Sequence, residues 1–212
     1  MNTQILNVHK DSKLCIEEAS KQLLEGKIII FPTDTVYGIG CLFDELFAVE
    51  RIYELKGRDF SKPLAAYFSD ISMMFDYIAN PTYNLKKIAT HFMPGAITLV
   101  AKKNNKIANI ITSNFDTIGL RIPDNNFLLE LINNIGKPIV GTSANLSNFP
   151  SAKTADEAYE YFNGTVPLII NDDKSILGIE STVFSIIDDK FTLIREGAIP
   201  SSKIMKIMEE ER

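Results

Sequence analysis

The chain has 212 residues, 45% hydrophobic and 23% charged, with 22 basic against 27 acidic side chains and a formal net charge of −5. That is the composition of an ordinary globular protein with ample core, one domain or a domain with a small appendage; the acidic balance argues against a general nucleic-acid coat and leaves room for a local basic cleft. Cys15 and Cys41 have no paired spacing and fit a reduced, cytoplasmic protein, no apolar run approaches the roughly 20 residues of a membrane span, and "MNTQILNVHKDSK" lacks the basic-then-apolar order of a secretory leader.

In chain order, "LCIEEASKQLL" (14–24) reads as an amphipathic helix stopped by Gly26, and residues 27–31 as a short buried strand. "ELFAVERIYELK" (45–56) is a second helical pattern, and "KPLAAYF" (62–68) a strand candidate. Residues 82–92 read as a helix, Pro94-Gly95 interrupts before "AITLVAK", and the Asn-rich 102–116 reads as a surface excursion. "TIGLRIP" (117–123) is a strand with a charged end, and "FLLELINNI" (127–135) a helix with Gly136 just past it. "PIVGT" is another buried strand, and "TADEAYEYF" (154–162) a short helix. "VPLIIND", "STVFSIID" and "KFTLIREG" are strand candidates, and a last helix starts near Ser201 or Ser202. Interleaved helices with strands rich in isoleucine and valine predict an α/β or α+β domain whose sheet is largely covered.

Two apolar strands run directly into small polar residues. "IIIF" is followed by Pro-Thr-Asp-Thr (32–35), and "PIV" by Gly141, Thr142, Ser143 and Asn145. Ligand sites gather at such strand ends, where backbone N–H groups, hydroxyls and amides supply donors, although threonines and glycines also simply make turns. Between them, "ELKGRDFSKP" crowds Lys56, Arg58 and Lys62 at a helix end, either a solvated face or a phosphate clamp. Arg121 and Arg195 each end an apolar strand and must reach solvent, an acid or an anionic ligand. Glu180 in "GIESTVF" could hold one of them. No phosphate-binding loop, dinucleotide fingerprint or Gly-x-Ser-x-Gly elbow is present. His9 and His91 lie apart from each other and from the cysteines, so no protein metal site is expected.

"FPTDTVYGIG", "ELKGRDFSKPL", "MPGAIT", "GLRIP", "GTSANLS", "GIESTV" and "LIREG" occur in this order. On these motifs the chain resembles the YrdC/Sua5/TsaC family from about residue 14 to about residue 200. The resemblance implies a single YrdC-like domain over 1–212, in the short form, with a C-terminal helix at about 201–210. Its fold would be a twisted mixed sheet flanked by helices around a concave, positively charged cleft. It implies a nucleotidyltransferase that condenses L-threonine, bicarbonate and ATP to threonylcarbamoyl-adenylate and pyrophosphate. Partner proteins would then move the threonylcarbamoyl group to adenosine 37 of tRNAs reading codons that begin with A, with tRNA contact possible and no membrane involved. The family's tetrad falls on Lys56, Arg58, Ser143 and Asn145. Thr33 and Thr35 match residues at the threonine end, Arg121 a position near substrate, and Ser181 and Arg195 positions that contact the nucleotide, with Thr142 beside Ser143. Three residues depart from the common pattern: Asp34 stands for glutamate, Tyr67 for histidine and Asp59 for proline.

The chemistry implied is attack of a threonine carbamate on the α-phosphorus, which calls for positioning and positive charge more than for a nucleophile. In that scheme Lys56 and Arg58 neutralise phosphates, Ser143 and Asn145 orient them, Mg2+ travels with ATP, and "KGRDFSK" is a candidate cover. A competing reading is a double-stranded RNA or tRNA-binding module without adenylate-forming activity. Phe31, Tyr37 and Tyr53 do not interleave with a basic tract as stacking platforms do. A carbamoyl-transfer maturation enzyme would carry further zinc-binding or acylphosphatase regions, for which two cysteines give no support.

Overall fold

A computed structural model describes residues 2–209. In chain order its elements are β1 (Gln4–Asn7), α1 (Ser12–Leu24), β2 (Ile29–Phe31), β3 (Gly38–Leu42), α2 (Leu46–Lys56), β4 (Ala65–Tyr67), α3 (Ile71–Phe75), α4 (Tyr83–Phe92), β5 (Ile97–Lys102) and β6 (Thr117–Arg121). There follow α5 (Asn126–Ile135), β7 (Ile139–Ser143), α6 (Ala155–Phe162), β8 (Leu168–Asn171), a 3-10 turn (Asp173–Ser175), β9 (Thr182–Ile187), β10 (Lys190–Arg195) and α7 (Ser201–Glu209). Residue 210, the expected end of the last helix, lies outside the described residues. Local chemistry sets the helix starts. Asp11, Asp70, Thr82, Asn125 and Thr154 each accept a hydrogen bond from the backbone N–H three residues on, which satisfies one of the donors a helix N-terminus leaves open.

The strands form one mixed sheet in the order β1-β8-β2-β3-β7-β4-β6-β5-β9-β10. β8 pairs in parallel with β1 and β2, β4 with β6, and β5 with β9; the remaining pairs are antiparallel. Alternate residues feed two cores. Ile29, Phe31, Tyr67 and Ile139 pack with Ile16, Ala19 and Leu23 of α1 and Phe127, Leu131 and Ile132 of α5. Ile30, Ile39, Ala66 and Val140 pack with α2, α4, α6 and Ile204 of α7 on the other face. Burial on both faces is why these strands read as continuous apolar runs without alternation. No helix among the described residues is long and apolar enough to cross a membrane.

The interleaved elements read from the sequence are present, and four were not anticipated: β1, α3, the 3-10 turn and β3. The last is the instructive one, because "GIGCL" reads as turn. Its glycines serve close packing instead. A Cβ on Gly38 would come 2.5 Å from Phe31 Cε2, and one on Gly40 would come 2.5 Å from the Val140 carbonyl and 3.0 Å from Phe31 Cε1. Phe31 is fully buried against these two bare backbones, so glycine here makes room for a ring within a strand. The Asn-rich 102–116 segment is only partly a surface excursion. Ile107 and Ile111 are buried in the core, and the Ile111 carbonyl accepts from Leu64 N–H at 2.9 Å.

Candidate active site

The helices α1 and α5 cover one half of their face of the sheet. Over β7, β4, β6 and β5 that same face carries a cleft of about 480 Å³. Its floor is made of every second residue: Gly141, Ala65, Gly119 and Val100 line it, and they stand in one cross-strand row, Gly141 opposite Ala65, Ala65 opposite Gly119, and Gly119 opposite Val100. Small side chains at the centre of the row leave the depth that larger ones would fill. The walls come from strand ends and the loops beyond them.

At one end stands the Pro-Thr-Asp-Thr loop. Thr33 and Thr35 are buried and line the cleft. Their hydroxyls lie 3.0 Å apart, Thr33 Oγ1 donates to the Val36 carbonyl at 2.7 Å, and Thr35 N–H donates to Thr33 Oγ1 at 3.1 Å. The loop is clasped from outside: Leu177 N–H donates to Asp34 O at 3.0 Å and Gly178 N–H to Thr35 O at 2.8 Å. Asp34 itself turns toward β6, where its Oδ1 accepts from Arg121 Nη2 at 2.5 Å, both residues under a tenth exposed. Arg121 lines the cleft, and its Nε is buried with no acceptor among the described residues. Tyr67 stands on the neighbouring strand, in register with Arg121; burial pushes its phenol up, and the Arg121 charge opposes that.

The opposite wall is built by β9 and β10. Arg195 donates through Nη1 to Glu180, through Nε and Nη2 to the Ser181 carbonyl at 3.2 and 2.9 Å, and through Nη2 to Ser181 Oγ at 3.3 Å. Ser181 Oγ also lies 2.9 Å from Thr98 Oγ1. Glu180 Oε1 accepts from Ser151 Oγ at 2.6 Å, which ties the segment after β7 to the start of β9. The acid suspected from "GIESTVF" therefore does hold an arginine, Arg195, and Arg121 finds Asp34.

The third wall joins the β7 exit to the end of α2. Gly57 ends that helix in the left-handed region (φ 56°), the conformation glycine adopts most readily, and the turn separates Lys56 from Arg58. Arg58 lines the cleft, with Nε donating to Lys62 O at 3.0 Å and Nη2 to Pro63 O at 2.9 Å. Burial lowers its pKa. Thr142 and Ser143 line the cleft; Lys56 and Asn145 stand behind it. Lys56 Nζ donates to Ser143 O, Asn145 O and Asn145 Oδ1. Burial, with Arg58 nearby, pushes its pKa down to about 7, and Glu180 opposes the shift.

Of the residues singled out in the sequence, Thr33, Thr35, Arg58, Arg121, Thr142, Ser143, Ser181 and Arg195 meet at one cleft, and Lys56 and Asn145 lie one layer back. Thr98 went unnoticed, although a threonine inside the apolar "AITLVAK" was the available signal. Phe115 and Ile194 also line the cleft, and nothing local in their sequence marks them. Among the described residues, three arginines and one glutamate are the charged members of the lining.

A family model described as "Telomere recombination", Sua5/YciO/YrdC, matches residues 21–197. The chain is 35% identical over 194 residues to a threonylcarbamoyl-AMP synthase of Bacillus subtilis (strain 168), covering 91% of this chain and 56% of that one. It is 36% identical over 197 residues to a putative threonylcarbamoyl-AMP synthase of Methanocaldococcus jannaschii, covering 93% and 92%. Its fold superposes on P. abyssi Sua5 complexed with L-threonine with a TM-score of 0.94 at 34% identity, covering 99% of this chain and 62% of that one. The chain thus spans 56% of the length of the Bacillus relative and 62% of the Pyrococcus one.

Proposed function

This chain belongs to the Sua5/YciO/YrdC family, and we propose that it is a nucleotidyltransferase that condenses L-threonine, bicarbonate and ATP to threonylcarbamoyl-AMP and pyrophosphate. The observation that carries the reading is the meeting of three arginines with the hydroxyls of Thr33, Thr35, Ser143 and Ser181 around one floor of small residues. Three anionic groups must approach one another in this reaction, and preorganised cations stabilise such a transition state. The threonine-bound P. abyssi neighbour and the names of the relatives support the same chemistry.

In this scheme Thr33, Thr35 and Arg121 receive the amino acid. Arg121 Nε, which has no acceptor among the described residues, is the donor left for a ligand oxygen. Arg58 faces the phosphates with the donors left over from its two carbonyl contacts. Ser143, Thr142, Ser181 and Arg195 line the nucleotide's path. Asn145 fixes Ser143, and Lys56 belongs to the same wall. Mg2+ is a hard cation that favours carboxylate, water and phosphate oxygens. The one carboxylate lining the cleft among the described residues, Glu180, is already held by Arg195 and Ser151, so the residues present fit a Mg2+ carried by the triphosphate. It would supply charge neutralisation there.

The product is a labile mixed anhydride, and its use in N6-threonylcarbamoyladenosine formation on tRNA by partner proteins, in the cytoplasm, belongs to the same proposal. Mass spectrometry of protein incubated with ATP, Mg2+, L-threonine and bicarbonate tests it. Threonylcarbamoyl-AMP should accumulate, and pyrophosphate release should need threonine and bicarbonate together. Release that ignores threonine, or none under any of these conditions, overturns the reading.

A further inference from the structure

Lys56 is the last residue of α2 and is 2% exposed. Its Nζ lies 2.5 Å from Ser143 O, 2.5 Å from Asn145 O and 3.2 Å from Asn145 Oδ1. A lysine ammonium has three N–H donors and no acceptor. Three protein oxygens receive them, and none remains for a phosphate. Arg58 differs on this point: of five guanidinium N–H groups, contacts to Lys62 O and Pro63 O take two, and its side chain lines the cleft.

The turn that Lys56 grips is tied in from other directions. Ser147 N–H donates back to the Lys56 carbonyl at 2.8 Å. Asn145 Nδ2 donates to Leu146 O and to Phe149 O, both at 2.8 Å. That fixes which way the amide faces and leaves Oδ1 toward Ser143, whose Oγ lies 2.6 Å away. An amide oxygen only accepts, so Ser143 must donate its proton there. The serine's lone pairs are then free for the cleft. The chain of constraint runs from Lys56 through Asn145 to Ser143, and only Ser143 is in the cleft wall.

We propose that Lys56 is a positioning residue: from behind the wall it sets the turn from Ser143 to Asn145, and the ligand meets Ser143 and not the ammonium. Burying a charge without a carboxylate partner is costly unless hydrogen bonds replace its lost water. Three oxygens at one end of a strand do this. A methyl or amide group of similar size could fill the space but could not hold three oxygens that otherwise face one another. The inference rests on the cleft being the nucleotide site; the geometry of the turn stands apart from that reading.

Three measurements test it. Reductive methylation of the wild-type protein, read by peptide mass spectrometry, should leave Lys56 unmodified with and without MgATP, while the exposed Lys13 is modified in both. Labelling of Lys56 in the free protein, whether or not MgATP suppresses it, overturns the proposal, and this arm needs no substitution. In nucleotide-free Lys56→Met, amide hydrogen exchange over 144–149 should quicken by about tenfold or more, the equivalent of one hydrogen bond's worth of local stability. Exchange unchanged from wild type overturns it. In turnover, Lys56→Met combined with Ser143→Ala should fall within about twofold of the more damaging single change, because residues acting through one another are not additive. Effects that multiply would mark two independent ligand contacts and overturn the proposal. If the protein makes no threonylcarbamoyl-AMP, the functional reading falls, while the labelling and exchange results still decide the place of Lys56.

Discussion

Arg121 Nη2 donates to Asp34 Oδ1 at 2.5 Å, joining the end of β6 to the Pro-Thr-Asp-Thr loop across 87 positions of sequence. Both partners are buried, so the pair cannot fall back on water. Removing one member of such a pair leaves an uncompensated buried charge, which costs about 3–5 kcal/mol. Asp34→Ala is expected to lose that much in urea unfolding and to raise the KM for threonine by displacing Arg121. A stability change below about 1 kcal/mol, with threonine KM unaltered, would show that the pair organises nothing.

Arg58 should behave differently. Its carbonyl partners, Lys62 O and Pro63 O, lie in an exposed loop where water replaces lost donors. Arg58→Ala should therefore change stability by less than about 1 kcal/mol. Turnover should fall by well over tenfold, since a hydrogen bond to a charged group is worth about 1.5–3 kcal/mol and 1.4 kcal/mol is a factor of ten. Normal turnover of a well-folded variant counts against a phosphate role.

Much of this site was legible because its chemistry is local. A buried apolar strand that stops at Thr-Asp-Thr or Gly-Thr-Ser announces a strand end with free donors, and an arginine ending such a strand announces an anion nearby. What stayed hidden depends on pairing between distant strands. Gly38 and Gly40 look like turn residues until Phe31 is seen to lie against them. Lys56 and Arg58 are two residues apart and chemically alike, yet the left-handed Gly57 between them sends one into the wall and the other along the cleft. Spacing does not reveal which is which. Phe115 reaches the cleft only because Ile107 and Ile111 anchor the segment before it.

Lys56 also carries a pH signature. Burial lowers its pKa from the ordinary 10.5 to about 7, with Arg58 adding to the shift and Glu180 opposing it. Between about pH 7 and pH 10 the unfolded chain therefore binds more protons at this site than the folded one. Stability must rise with pH across that window, by at most about 1.4 kcal/mol per pH unit from this group, and the contribution is flat below it. Urea midpoints of the wild type relative to Lys56→Met at pH 7 and pH 9 measure this, since other groups titrate in both. The difference should move in favour of the wild type at pH 9, where the neutral amine keeps two of its three donated bonds; a constant difference would mean that the three oxygens hold Lys56 charged throughout.

Ser143 admits two roles, a nucleophile that forms a covalent intermediate or a hydroxyl that holds the ligand. A nucleophilic serine needs a base to take its proton. Here the proton is directed at Asn145 Oδ1, 2.6 Å away. That oxygen is an amide acceptor, which cannot serve as a base at neutral pH, and it already receives Lys56 Nζ. Deprotonating Ser143 is thus unassisted, while its lone pairs face the cleft and can accept from a ligand N–H, O–H or Mg2+-bound water. Adenylate formation asks only that carbamate and α-phosphorus be held together. Ser143→Ala is therefore expected to raise the KM for ATP and slow turnover by about tenfold, the worth of one hydrogen bond, while leaving product measurable. Intact-protein mass spectrometry on samples quenched in acid during turnover should find the wild type unmodified as threonylcarbamoyl-AMP accumulates. A stoichiometric adenylyl or threonylcarbamoyl adduct that disappears in Ser143→Ala, together with complete loss of turnover, would assign the serine the covalent role instead.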